Sequence, residues 1–248
     1  MPATTERRLY VTWRHPSGSI MPVGLLTQRA VGDSVEYEFV YLKLAEQEAL
    51  FHPLPGLPDL HHRYESPRLF SVFANRQMPR ERADYDAFVQ LLDLDIEADP
   101  FEVLERSEGV RATDRIEVFA APTRTEHGDL TTLFFVRGVR HVDGAADAIA
   151  EMSVGDELEL VAEPDNPVNP RARLLNTHTG QTVGYAPDYL LDMIEELGDH
   201  ASDGVRVVAE HINPDSSAPH MRLLCRLTAP WPAGYEPLSG PNFQTLAG

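Results

Sequence analysis

The chain has 248 residues, with 21 Lys+Arg against 39 Asp+Glu and a formal net charge of −18. Attraction to the phosphate backbone normally supplies most non-specific nucleic-acid affinity, so this sign argues against a sequence-tolerant coat on DNA, though not against a small pocket gripping one strand end. Lys43 is the only lysine and no glycine-rich loop lies near it, which excludes P-loop, kinase-nucleotide and Schiff-base chemistry.

In chain order, residues 9–13, 21–26 and 35–41 are β-branched or aromatic runs separated by Pro16-Ser17-Gly18 and Gly32-Asp33-Ser34, a pattern that predicts antiparallel strands. The proline-rich loop 52–58 follows, and prolines at this density exclude regular helix or a central strand. Residues 80–92 predict a helix with Tyr85, Phe88 and Leu92 on one face and Pro79 at its start, and 100–106 add a further turn or two. Between them Asp93, Asp95, Glu97 and Asp99 alternate like a calcium loop, but Ala98 and Leu104 stand where such a loop needs glycine and an acid. These acids are a solvated helix end.

Polar stretches at 107–113 and 122–130 bracket a strand at 115–120 and place a linker with a short strand over 111–130. Beyond it, strands are expected near 131–138, 157–163, 171–176, 181–185, 204–212 and 220–228, with helices near 145–152 and 187–197. Residues 231–248, with three prolines and three glycines, read as an extended tail. Cys225 is the only cysteine, so no intrachain disulfide forms, as in a reducing cytoplasm. Its neighbours at alternate positions, Met221, Leu223 and Leu227, make it one small hydrophobe of a buried strand face. No apolar run reaches membrane-spanning length and the first residues lead into no signal-peptide core, so a cytoplasmic chain without membrane segments is expected. His52, His61 and His62 have no Cys or carboxylate at metal spacing, and no nucleophile elbow or Cys–His pattern occurs. Neither metal, cofactor nor enzymatic activity is expected.

Four blocks within residues 134–197 fall in one order. A strand ends in Gly138-Val139-Arg140-His141, and Gly155-Asp156-Glu157-Leu158 opens a second strand. Glu163-Pro164-Asp165-Asn166-Pro167 follows, and Val183-Gly184-Tyr185 leads through Pro187 into a helix. Together they resemble a HIRAN domain, here spanning about 131–230. That resemblance implies an OB- or SH3-like β-barrel with two helices, non-catalytic, in a family whose best-understood members hold the free 3′ end of a DNA strand. It assigns Arg140 and His141 to a turn that meets phosphate or base, Asn166 to a polar pocket position, and Tyr185 to a position where DNA-binding relatives carry histidine. Val168 stands in place of an aromatic, Asn169 in place of an acid, and Asp188 in place of a phosphate-contacting lysine. An aspartate there repels the strand, so binding to single-stranded DNA falls to Arg137, Arg140, Arg171 and Arg173.

Val23-Gly24-Leu25-Leu26, then 37–42, then Leu69-Phe70-Ser71-Val72-Phe73-Ala74-Asn75-Arg76, then Arg82-Ala83-Asp84-Tyr85 are similar to the N-terminal subdomain of HipA-type kinase toxins. This implies a small α+β domain over 1–110 that docks a protein partner. Tyr64, Phe70, Phe73 and Tyr85 are more aromatic surface than one amphipathic helix needs, and read either as anchors for a partner or for the barrel, or simply as core. The chain as a whole therefore reads as α+β. Two functions stand open: recognition of unpaired DNA or DNA 3′ ends, and a protein–protein adaptor in a HipA-like toxin–antitoxin or defence system, with no DNA binding.

Overall fold

The computed structural model describes residues 6–32, 34–111, 113–200 and 204–247. Positions 33 and 112, in the expected second turn and the expected linker, lie outside them. The chain forms two units, Met1–Ala121 with Pro237–Gly248, and Pro122–Glu236. The architecture is mixed α+β, with two sheets and few helices.

In the first unit, β1 (Glu6–Arg14), β2 (Ile20–Val31), β3 (Ser34–Tyr41), β4 (Tyr64–Ser66) and β5 (Ile116–Ala120) form an antiparallel sheet in the order β4-β3-β2-β1-β5. Because alternate residues of a strand face opposite sides, Leu9 and Val11 enter the main core, with Val23, Leu26, Phe39 and Val118 from neighbouring strands. Tyr10 instead stacks on Phe119, with ring centroids 5.5 Å apart. The Phe39 ring covers Gly24 so closely that a Cβ there would lie 2.5 Å from it.

Short helices α1 (Lys43–Gln47), α2 (Ser71–Ala74), α3 (Tyr85–Leu91) and α4 (Pro100–Ser107) complete this unit. Asp99 caps α4 by accepting from the N–H groups of Phe101 and Glu102, and Pro100 fits the first turn because no donor is needed there. Phe101 and Leu104 of α4 then reach the core. The proline-rich loop is pinned by Tyr41, whose hydroxyl donates to the Leu57 carbonyl and accepts from Leu54 N–H, both at 2.7 Å.

Four expectations change here. The helix expected over 80–92 forms only over Tyr85–Leu91; before it, Arg82 N–H donates to the Pro79 carbonyl and Tyr85 N–H to the Arg82 carbonyl, both at 3.1 Å, in separate turns. Phe73 and Tyr85 are 0% and 5% exposed, and Tyr64 and Phe70 are half-buried against the same core, so these aromatics build the interior and leave no anchor row for a partner. The residues after 236 are not an extended tail. Thr245 pairs with Leu42, Leu246 N–H donates to the Tyr41 carbonyl, and Phe243 meets Tyr10 edge-on at 5.1 Å. The expected linker also dissolves, since β5 is an edge strand of this sheet, paired from Leu9 to Trp13 of β1.

The second unit has β6 (Thr123–Arg124), β7 (Leu130–Phe135), α5 (Ala145–Ala150), β8 (Glu157–Ala162), β9 (Arg173–Asn176), β10 (Thr182–Tyr185), α6 (Leu191–His200), β11 (Arg206–Ile212) and β12 (Leu223–Ala229). The strands order as β10-β9-β8-β11-β12-β7-β6. Instead of the closed barrel expected, this is a sheet tied across at one point, where Arg137, just past β7, bridges Tyr185 at the end of β10. Both N–H groups donate across that bridge, at 2.9 and 2.8 Å. Further pairing is absent among the described residues because the chain turns away at Gly138 on one side and Pro187 on the other. Residues 231–236 also pack: the Trp231 indole donates to the Tyr235 carbonyl under the Arg124 guanidinium, and the Tyr235 hydroxyl donates to Glu196 at 2.9 Å. Cys225 is fully buried, and burial, with Glu210 adding to it, pushes its thiol pKa up, as suits an inert hydrophobe. Among the described residues no helix is long and apolar enough to cross a membrane, and no group of three or more His, Cys, Asp or Glu could hold a metal ion.

Candidate nucleic-acid interface

Arg137, Gly138, Arg140, His141 and Tyr185 come together around the single bridge of the second sheet. Gly138 has φ of +71°, in the left-handed region that glycine enters without strain, and it turns the chain from the bridge into the 3-10 turn Val139–His141. The Tyr185 ring lies directly over it: a Cβ on Gly138 would stand 2.9 Å from Tyr185 Cδ2. Val139 is buried and anchors the turn, while Arg140 and His141 are exposed. Arg140 Nε donates to His141 Nε2 at 2.9 Å, so that ring nitrogen carries no proton in this arrangement. Arg137 contributes the backbone bridge. The 3-10 turn Pro219–Met221, with exposed His220, lies beside the Val139–His141 turn.

Tyr185 is half-buried, and its hydroxyl donates to Glu163. Burial first, then the Glu163 charge and that hydrogen bond, raise the phenol pKa above its ordinary 10. Glu163 also accepts from the Asn166 amide. The other end of Asn166 accepts from Val168 N–H at 2.9 Å and Asn169 N–H at 3.0 Å, as a turn-forming asparagine does. Asn169 donates to Asp188 at 3.2 Å and accepts from Arg171 N–H at 3.0 Å. Both asparagines are thus committed to holding the 163–171 loop, and Val168 at its tip is 73% exposed.

Arg171 and Arg173 are engaged by carboxylates. Arg171 forks onto Glu195 at 2.7 and 3.1 Å and reaches Asp192 at 2.5 Å, both on α6. Its Glu195 bonds, then those to Asp192, push its pKa further up. Arg173 reaches Glu195 at 3.3 Å. Carboxylates one turn apart on a helix face the same way, so α6 presents two acids to the two arginines. Glu163, Asp192 and Glu195 are site residues that sequence reasoning missed. Glu163 opened a recognised block but had no visible partner, and the α6 acids read only as the polar face of a helix.

No protein-family model and no curated protein sequence matches the chain. Among solved structures, it is similar to a protein from Lactobacillus plantarum determined as a structural genomics target, at 20% identity over 41% of this chain and 97% of that one, with a TM-score of 0.34. It is also similar to the HIRAN domain of human HLTF, at 17% identity over 42% of this chain and 81% of that one, with a TM-score of 0.31.

Proposed function

We propose that the second unit is a non-catalytic recognition module that takes an unpaired DNA end on the Arg140–His141 turn against Tyr185. The observation that carries this reading is the exposed arginine–histidine turn held against a half-buried tyrosine ring by Gly138. A guanidinium serves a phosphate or stacks on a base, and rings accept unstacked bases but not a closed duplex. The HIRAN-like blocks of the sequence point to the same turn. A preference for single-stranded or frayed ends over blunt duplex follows.

A second reading, a protein adaptor, is favoured by one observation: Arg171 and Arg173 are held by Asp192 and Glu195, which leaves them turned to carboxylates. Binding of short oligonucleotides with free and blocked 3′ ends separates the two. On the DNA reading, Arg140→Ala weakens binding by about tenfold, within the range of one lost stacking or phosphate contact. Asp188→Lys strengthens it, because a repulsive charge becomes an attractive one. No binding to any single strand at low salt, with Asp188→Lys equally inert, selects the adaptor.

A further inference from the structure

The first unit holds a cleft that plays no part in the interface above. It measures about 320 Å³, and Asn75, Gln77, Met78, Arg80, Tyr85 and Pro100 are among its lining residues. None of its lining residues is acidic, in a chain with 39 acids. Its one formal charge is therefore positive.

The polar groups in this cleft are arranged and only partly used. The Arg80 guanidinium lies 5.8 Å from the centre of the Tyr85 ring. Arg80 Nη2 donates to the Ala98 carbonyl, which anchors one nitrogen, and its other donors have no partner among the described residues. Tyr85 is 5% exposed, yet its hydroxyl has no hydrogen-bond partner among the described residues either. Among the described residues the buried side-chain atoms without a partner are Arg76 Nε and Thr131 Oγ1, so the Tyr85 hydroxyl keeps access to solvent and stands as an available donor. Gln77 is fixed by donating to the Pro100 carbonyl, while the Asn75 amide is unbonded among the described residues. Met78, Pro100 and the Tyr85 ring supply the apolar wall.

We propose that this cleft binds a small organic oxyanion, a carboxylate or phosphate carried on a single flat apolar group, with Arg80 and Tyr85 holding the charged end. A guanidinium fork matches either anion, and the phenol that lines the same cleft offers a second donor. The volume is near the lower limit of small-molecule sites, which suits one ring and its anionic group.

Titration of the isotopically labelled full chain with phenyl phosphate and benzoate, followed by NMR, tests this, with benzyl alcohol as the neutral control. Both anions are expected to saturate one set of shifts, at residues 75–80 and at Tyr85, and the tighter of the two identifies the favoured oxyanion. Arg80→Gln lowers affinity for both by about tenfold, the loss of one charge-assisted contact. Tyr85→Phe keeps the ring and the Arg80–Ala98 bond while removing the hydroxyl, and lowers affinity about threefold. It decides the matter alone should Arg80→Gln fail to fold. The proposal is overturned if benzyl alcohol binds as well as benzoate, or if the shifts map elsewhere. It is equally overturned if no anion saturates by about 10 mM, or if Tyr85→Phe binds like the wild type.

Discussion

The Tyr185 ring rests on the α-carbon of Gly138, and the same tyrosine closes the backbone bridge to Arg137. Ring and turn are thus fixed to each other by the two ends of one residue. Gly184, next to it, is equally constrained: its φ is +142°, and a Cβ would stand 2.4 Å from the Arg137 carbonyl oxygen. At Gly138 the obstacle is a side chain that can tilt, and at Gly184 it is backbone that cannot. Gly138→Ala should cost about 1 kcal/mol or somewhat more and weaken oligonucleotide binding. Gly184→Ala should cost more, about 2 kcal/mol or above, and expose the Arg137 and Tyr185 amides to exchange. Chemical denaturation and hydrogen exchange check both, and equal costs would mean the bridge is not what the glycine protects.

The α6 carboxylates should act as a brake on DNA binding. Exposed ion pairs contribute roughly 0–1 kcal/mol each, so replacing Asp192 and Glu195 by Asn and Gln should leave folding largely intact while freeing Arg171 and Arg173. Single-strand affinity should rise, and its dependence on log salt should steepen by about 0.7 for each arginine that gains a phosphate. An unchanged slope in a salt titration would show that neither arginine reaches the strand.

The Tyr185 phenol should titrate above its ordinary 10 in the folded protein. Glu163→Gln removes the charge but keeps an oxygen that can accept, and the pKa should move down while burial, the largest cause, holds it above the ordinary value. Ultraviolet difference titration, with Tyr185→Phe to assign the signal, measures this. A phenol that titrates identically with and without Glu163 would contradict the bond.

Stability of the first unit should fall in acid through Glu38. Burial opposes ionisation there, but hydrogen bonds from Arg29 and Arg63 prevail and lower its pKa below 4.5. With the folded-state pKa lowered, this stabilisation is complete above 4.5 and is lost as pH falls through the folded-state value. Glu6, which also binds Arg29, moves in the same direction. Denaturation midpoints from pH 7 to 3 should show a smaller acid loss in Glu38→Gln than in the wild type, from a lower starting stability.

Much of the local structure was legible in the sequence because local chemistry decides it. The β-branched and aromatic run Leu9–Trp13 read as a strand, and Gly138 marks a turn that only glycine makes easily, whereas Asp99, read with the solvated acids, proves to be the cap of α4. The placing of Arg140, His141 and Tyr185 in one neighbourhood was readable from ordered motif blocks. What composition could not supply was the use made of each group.

The tertiary structure alone decided that Phe73 and Tyr85 face inward, since aromatic residues look the same in core and interface until the opposing sheet is known. It alone returned residues 237–248 to the first unit, because pairing of Thr245 with Leu42 joins positions some two hundred residues apart. Arg171 and Arg173 carry the charge expected of phosphate contacts, yet Asp192 and Glu195 approach them through space from a helix formed later in the chain. Periodicity and turn chemistry act over a few residues and are written in sequence. Charge pairing acts at 3 Å between distant segments, and only the fold brings those segments together.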